Sequence, residues 1–385
     1  MVTIKKTEVF DCLIIGSKEY LDRDKKYPYP DLLRHAMNAL ALEMKQTIPF
    51  PKTINGFLRL LEEAVKNWCP SNFIPENFDR DFGVMDEGSL SEEANDYLAE
   101  IYTSNQAEII EYASSSIKQL AIDNSKFTKI LERLRKVYND SDSETPQHEY
   151  LSLRCFLIKN PYTNPSQIRK TFLLSKHFSK EEVGELYEEC QENQIYWYCD
   201  RCGVLTEKHG KLKGIKPRLC GNHHQDQSYV HPVEWKTGLL RIKEGIHQRV
   251  CFPGIPELNL CSAAEELKEK HPNCLHQVKL YPGLDWYDLQ LRFSDGAVWA
   301  IDIKDVRDPY KLAKKLKPLC DEGSLRYDES FYVISDRCIA NYPDYLKILC
   351  KEAKQLLNAT HLVSEKSFKN LVNGKITELQ KGGTV

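Results

Sequence analysis

Asp288, Asp302 and Lys304 have the residue types and the spacing from which phosphoryl-transfer chemistry can be built. Val298, Ala300, Asp302 and Lys304 alternate with Trp299, Ile301 and Ile303. A strand here turns the large apolar side chains one way and puts Asp302 and Lys304 together on the other face. Ser294-Asp295-Gly296 reads as a turn, so the preceding run from Gly283 to Phe293 forms the other arm of a hairpin and brings Asp288 within reach of both. Two carboxylates and the carbonyl of Ile303 suit a hard divalent cation such as Mg²⁺. A lysine beside them suits orientation of a water and stabilisation of charge developing on phosphorus. Such a grouping is the chemistry of a metal-dependent nuclease. The plainer alternative is a solvated hairpin edge with a surface ion pair of little stabilising value.

Acid-x-Lys triplets also occur at Glu43 and Lys45, Glu266 and Lys268, and Glu352 and Lys354, where helical periodicity makes them surface charge. Only at Asp302 does the triplet lie on an alternating strand that follows a strand with its own acid. The residues resemble the PD-(D/E)xK nuclease superfamily, whose pattern is an acid on one core strand and acid-x-Lys on the next. That pattern maps onto Asp288, Asp302 and Lys304, and the resemblance spans about residues 240–370. The order of elements also fits: a helix over 262–270, a strand over 275–280, the hairpin, a basic helix over 309–316 and a strand over 331–334.

By that resemblance, Asp288 and Asp302 hold Mg²⁺, Lys304 is catalytic, and Glu265 or Glu266 completes the metal shell unless both are ordinary surface residues. No proline immediately precedes Asp288; Pro282 stands before Gly283 and Asp285, which leaves Asp285 a rival for the first ligand. Lys311, Lys314, Lys315 and Lys317 follow the active strand, as a grip on the phosphodiester backbone or as a solvated face.

A second constellation lies upstream. Cys199-Asp200-Arg201-Cys202 and Cys220-Gly221-Asn222-His223 are paired knuckles with the spacing of a structural zinc ribbon over 199–224. Cys199, Cys202, Cys220 and His223, or His224 in its place, would close a tetrahedron around Zn²⁺ and leave no open position for catalysis. A redox Cys-x-x-Cys would lack its βαβ setting and leave Cys220 and His223 unexplained. Arg201, Lys208, Lys211, Lys213, Lys216 and Arg218 surround the knuckles, either as a nucleic-acid contact or as a solvated face.

The elements that must position these groups imply a multidomain α + α/β protein. A length of 385 residues suits two or three domains. Residues 1–140 read as an α-helical domain, with apolar periodicity over 32–44, 54–65, 107–120 and 127–137. Leu13, Ile14 and Ile15 suit either a short strand or a helix start. A polar, acidic linker over 139–146 precedes a module over 147–235, which carries the zinc ribbon. Helices at about 149–158, 165–172 and 179–191, followed by strand-like 195–198, resemble a winged helix. Ser179 and Glu182 have capping-box spacing, and the acidic third helix is poor for the major groove. Residues 240–385 make up the restriction-endonuclease-like domain, a mixed β-sheet flanked by helices.

A net charge of −3 excludes coating of nucleic acid by bulk charge and requires local patches. Thirteen cysteines scattered among apolar residues, an N-terminus without a signal-peptide core and no run of membrane-spanning length imply a reduced, cytoplasmic protein. The order of domains resembles the restriction-endonuclease component of prokaryotic PIWI-linked three-gene defence islands. That resemblance implies defence against phage or plasmid DNA, with a PIWI-like protein and a helicase as partners. Two other readings stand beside it: an adaptor whose nuclease fold has lost activity, and a transposition or recombination endonuclease of the same fold.

A closed zinc site couples metal binding to folding, so purified protein should carry about one zinc per chain. Cys199→Ser and Cys220→Ser should each lose metal and solubility together. Full occupancy in both variants by elemental analysis would rule the site out.

Overall fold

Leu13, Ile14 and Ile15 lie in a helix, α1 (Val9–Asp22), which is buried at every position from Val9 to Tyr20. Its buried residues, Asp11, Lys18 and Glu19 among them, leave no solvent face from Val9 to Tyr20, and it runs through the core of its unit. The computed structural model describes residues 8–23, 27–44, 49–86, 88–103, 115–140, 144–192, 194–200, 203, 205–206, 230–306, 308–353 and 360–382. The chain divides into two compact units, one built on residues up to Lys129 and the other on Ile130–His209, Ser228–Ile242 and His247–Val385.

In the first unit α2 (Asp31–Met44) buries Leu32, Leu33, Ala36, Leu40 and Met44, the helical spacing read from the sequence. The Thr53 side chain accepts from Gly56 N at 3.1 Å and so starts α3 (Ile54–Glu62). A two-residue hairpin of β1 (Met85–Asp86) and β2 (Ser89–Leu90) then leads to α4 (Glu92–Thr103). That helix is absent from the sequence reading because its apolar residues are sparse among acids. The helices read over 107–120 and 127–137 merge, within the described residues, into one long α5 (Ser115–Asp140); residues 107–114 lie outside them.

The second unit begins its own fold with α6 (Thr145–Lys159), which carries a proline in its first turn. The helix thus starts inside the stretch read as linker, of which 141–143 lie outside the described residues. After β3 (Tyr162–Thr163), Asn164 caps α7 (Pro165–Phe172), and both halves of the Ser179–Glu182 capping box open α8 (Lys180–Gly184). The helix read over 179–191 stops at Gly184, and β4 (Tyr187–Glu189) follows. The cause is tertiary: β4 pairs with a strand some fifty residues on, placing Glu188 opposite Arg241, with a salt bridge of 2.5 Å. Glu188 and Glu189, acids of the stretch read as a helix, therefore belong to a sheet.

Next come β5 (Tyr196–Cys199), β6 (Leu205–Thr206) and β7 (Val230–Val233), in the order β6-β5-β7, then β8 (Leu240–Ile242). β8 lies between β3 and β4 in a three-stranded antiparallel sheet beside α6, α7 and α8. Short α9 (Glu244–Ile246) and a π-helical stretch, His247–Cys251, lead into α10 (Phe252–Lys270). This helix starts ten residues before the stretch read as helical, with Pro253 in its first turn.

Then follow β9 (Leu275–Leu280), the turn α11 (Pro282–Asp285), β10 (Leu289–Phe293), β11 (Val298–Lys304), α12 (Pro309–Lys315), β12 (Glu329–Ile334), α13 (Asp336–Asn341), α14 (Tyr345–Glu352), β13 (His361–Ser364) and α15 (Glu365–Gly382). Their five strands form a mixed sheet in the order β13-β12-β11-β10-β9. β9, β10 and β11 are antiparallel neighbours, whereas β12 and β13 continue parallel to β11. β11 is central, not a solvated edge. Trp299 packs with Phe293, Phe331 and Phe368 of α15 on one face. Ala300, Tyr332 and Ile334 join Leu312 of α12 and Leu349 of α14 in the core of the other.

A Cβ on Gly16 would lie 2.2 Å from Leu33 N and 2.5 Å from Leu33 Cα, so α1 and α2 meet at backbone contact. Backbone cannot yield as a side chain can. Gly16→Ala should therefore destabilise the first unit by roughly 1–3 kcal/mol, at the upper end of that range, in urea unfolding. An unchanged midpoint would mean that the helices separate freely there.

Candidate active site at the end of the central hairpin

The register of β10 and β11 pairs Leu289 with Ile301 and Gln290 with Ala300. Just before β10, Asp288 meets Asp302 through a side-chain hydrogen bond. Asp288 is pinned by its own backbone, since its N–H donates to Ile301 O at 3.0 Å and its carbonyl accepts from Tyr281 N at 2.8 Å. Its side chain takes over where the ladder ends: Ile303 N donates to Asp288 Oδ2 at 2.5 Å. Lys304 Nζ lies 2.7 Å from Asp302 Oδ2 and 5.8 Å from the centre of the Tyr332 ring. Asp288, Asp302 and Lys304 therefore form one group, with Asp288 buried and the other two half-buried.

Asp285 points elsewhere. It accepts from Tyr150 OH at 2.9 Å and pairs with Arg154, both on α6. Glu265 and Glu266 pair on their own helix with Lys268 and Lys270, as surface charges do. The acid that α10 does bring to the site is Glu257, which the sequence reading missed. It is buried, accepts from Tyr281 OH at 2.5 Å, and forms a two-pronged pair with Arg154 at 2.9 and 3.2 Å. Proline in the first turn of α10 was the signal that could have extended the helix back to it.

Burial, then the charges of Glu257 and Asp302, raise the Asp288 carboxyl well above the ordinary aspartate range, with Lys304 opposing. Burial likewise raises Glu257, against the pull of Arg154 and the Tyr281 hydroxyl. Burial acts to lower the Lys304 ammonium, but Asp302 and Asp288 outweigh it and raise it. Crowded acids of this kind either keep protons or take a cation.

Among the described residues no three His, Cys, Asp or Glu side chains converge as metal ligands. Glu257 is held by Arg154 and Tyr281, so two carboxylates remain, Asp288 and Asp302. The carbonyl of Ile301 accepts from Asp288 N, and the two-residue strand period aims the carbonyl of Ile303 the same way, past the start of β10. That donor set, all oxygen and with two carboxylates, fits Mg²⁺, which usually keeps several waters and takes one or two protein carboxylates. Of the zinc residues, Cys199 is buried at the end of β5 beside Asp200, whose Oδ2 meets His231 Nε2 at 2.7 Å. Cys202, Cys220, His223, His224 and the basic residues around them lie outside the described residues.

A mixed sheet flanked by helices, with acids and a lysine at the end of its central strands, is consistent with a restriction-endonuclease-like domain. Residues 254–380 match the family model described as "REase associating with pPIWI_RE", about a third of the chain. This supports the resemblance to the restriction-endonuclease component of PIWI-linked systems. Neither curated proteins nor solved structures give a match. No described helix is long and apolar enough to cross a membrane.

A carboxyl whose pKa is raised on folding binds its proton more tightly in the folded state. Its contribution is favourable below the ordinary value near 4 and is lost as pH rises through the raised folded value. Without metal, Asp288→Asn should therefore gain stability relative to wild type as pH rises from about 4 to 8. Added Mg²⁺ should reverse the trend by stabilising only the wild type. Parallel melting curves at every pH would refute the assigned crowding.

Proposed function

We propose that the chain is a metal-dependent nuclease of PD-(D/E)xK type that hydrolyses phosphodiester bonds of DNA. The observation that carries the reading is the opposition of Asp288 and Asp302 across the two central strands, with Lys304 at 2.7 Å from Asp302. Asp288, Asp302 and the Ile303 carbonyl would hold Mg²⁺, and when bound it would polarise the phosphate and lower the pKa of a water. Lys304 stays protonated because its acidic neighbours raise its pKa, so it acts as a charged hydrogen-bond donor and not as a proton acceptor. Its role is to orient the nucleophile and to offset negative charge building on phosphorus. Trp286, exposed and two residues before Asp288, offers a stacking surface for an unpaired base.

The matched family is described as associating with pPIWI_RE, which favours a PIWI-like protein as partner here, within a prokaryotic defence system. A helicase partner is implied by the resemblance to PIWI-linked defence islands, and a cytoplasmic location by the scattered cysteines of the sequence. The three helices and the β3-β8-β4 sheet upstream favour a winged-helix-like module; a zinc ribbon within it rests on the spacing of Cys199, Cys202, Cys220 and His223 in the sequence.

Loss of Asp302 and loss of Lys304 should differ in kind. Asp302→Ala should abolish Mg²⁺-dependent cleavage and weaken metal binding. Lys304→Ala should lower turnover by about a hundredfold or more while metal and substrate affinity stay near wild type. Wild type with its native partners is the control. Cleavage that survived both substitutions undiminished would transfer the chemistry to a partner and leave this chain an adaptor.

A further inference from the structure

Between β9 and Asp288 the backbone takes a conformation that it cannot hold by itself. Tyr281, Gly283, Leu284 and Asp285 all have positive φ, at 49°, 65°, 59° and 79°. Only Gly283 adopts this region without cost, and each of the other three is strained by about 1–3 kcal/mol. The turn's own hydrogen bonds are long: Asp285 N to Tyr281 O is 3.3 Å and Trp286 N to Pro282 O is 3.2 Å. Local bonding this weak does not offset such strain.

The support comes from α6, more than 130 residues away in sequence. Gln147 Nε2 donates to Tyr281 O at 2.8 Å, and Gln147 Oε1 accepts from Leu284 N at 3.0 Å. One amide side chain thereby bridges both ends of the strained backbone. Tyr150 and Arg154 hold the Asp285 carboxylate, and Arg154 also grips Glu257 of α10. The guanidinium lies over the Tyr281 ring, 4.1 Å from its centre. Arg154 is buried, and its Nε has no hydrogen-bond partner among the described residues. Buried polar atoms are seldom left so, and the orphaned N–H marks a geometry set by the two acids that Arg154 must reach.

We infer that α6 is a positioning clamp for the candidate active site: Gln147 and Arg154 hold the strained turn 281–285 in the conformation that sets Asp288 opposite Asp302. The consequence for catalysis rests on the nuclease reading, whereas the clamp itself rests on the contacts. Tyr281 N bonds Asp288 O, so the first strained residue and the acid are linked directly. The helical module is thus part of the site. Arg154 touches no reacting atom; it acts through Asp285, Glu257 and Tyr281.

The test uses the full chain and three variants. Hydrogen exchange over 281–290, Mn²⁺ affinity by electron paramagnetic resonance, and kcat and KM on nucleic acid are measured for each. Arg154→Met should speed exchange in 281–290 by about tenfold or more while α15 and the first unit keep their protection. Mn²⁺ affinity should fall, and kcat should fall by about a hundredfold with KM nearly unchanged, as for a misplaced catalytic group. Arg154→Lys should recover part of each loss, since an ammonium can still pair with one of the two acids.

Removing Arg154 leaves buried acids unpaired, so Arg154→Met could fail to fold. Gln147→Leu keeps both ion pairs and should show the same local pattern in milder form. Wild-type exchange over 281–290 in both Arg154→Met and Gln147→Leu overturns the clamp, as does loosening spread evenly over the unit. Local loosening with unchanged kcat and Mn²⁺ affinity overturns the positioning role. If the wild type neither binds Mn²⁺ nor cleaves but the local loosening is found, the clamp stands and the nuclease reading falls.

Discussion

The hydrogen bond from Ile303 N to the Asp288 carboxylate is the junction on which the candidate site depends. A strand's amide at this position would ordinarily find a carbonyl on the neighbouring strand, but β10 has ended. The side chain of Asp288 takes the carbonyl's place, which draws the acid into the plane of the sheet and buries it. Asp302 then has to face it across the hairpin, and Lys304, two residues on, returns to the same face. Burial and like charge follow from that one substitution of side chain for backbone, and with them the raised pKa of Asp288.

The hairpin was legible because its signals are local. Alternation from Val298 to Lys304, the Ser294-Asp295-Gly296 turn and an acid at Asp288 lie within about twenty residues, and the antiparallel register aligns them without help from the rest of the chain. The capping box at Ser179 and Glu182 was legible for the same reason. Where partners are distant, local signals do not suffice. β4 is a strand because β8 pairs with it, and Glu257 neighbours the candidate site because Arg154 and Tyr281 draw it there. Glu265 and Glu266 looked equally eligible by type, and only their position on the helix surface separates them.

The turn at 281–285 shows the same limit from the other side. Nothing in Tyr281-Pro282-Gly283-Leu284-Asp285 beyond its glycine announces left-handed backbone at four positions. Left-handed leucine and tyrosine are unfavourable by local rules, and a local reading goes wrong where tertiary contacts override them. Asp285 rivals Asp288 on sequence grounds because Pro282 stands nearer to it and no proline immediately precedes Asp288. The geometry gives them separate work: one anchors the turn to α6 and the other reaches the hairpin.

Charge makes the last step. Glu257, Asp285, Asp288 and Asp302 sit in one electrostatically linked cluster with Arg154 and Lys304, so four acids meet two bases. If every group is ionised, the cluster carries a charge of −2. Protons can make up the difference, which is what the raised pKa values of Asp288 and Glu257 express. One divalent cation can do the same without neutralising the acids. Arg154 offsets one of Glu257 and Asp285, and Lys304 one of Asp288 and Asp302, so each group keeps one negative charge. In the proposed nuclease a cation would answer the charge shared by Asp288 and Asp302 at the end of the hairpin, beside the Ile303 carbonyl and the half-buried Lys304.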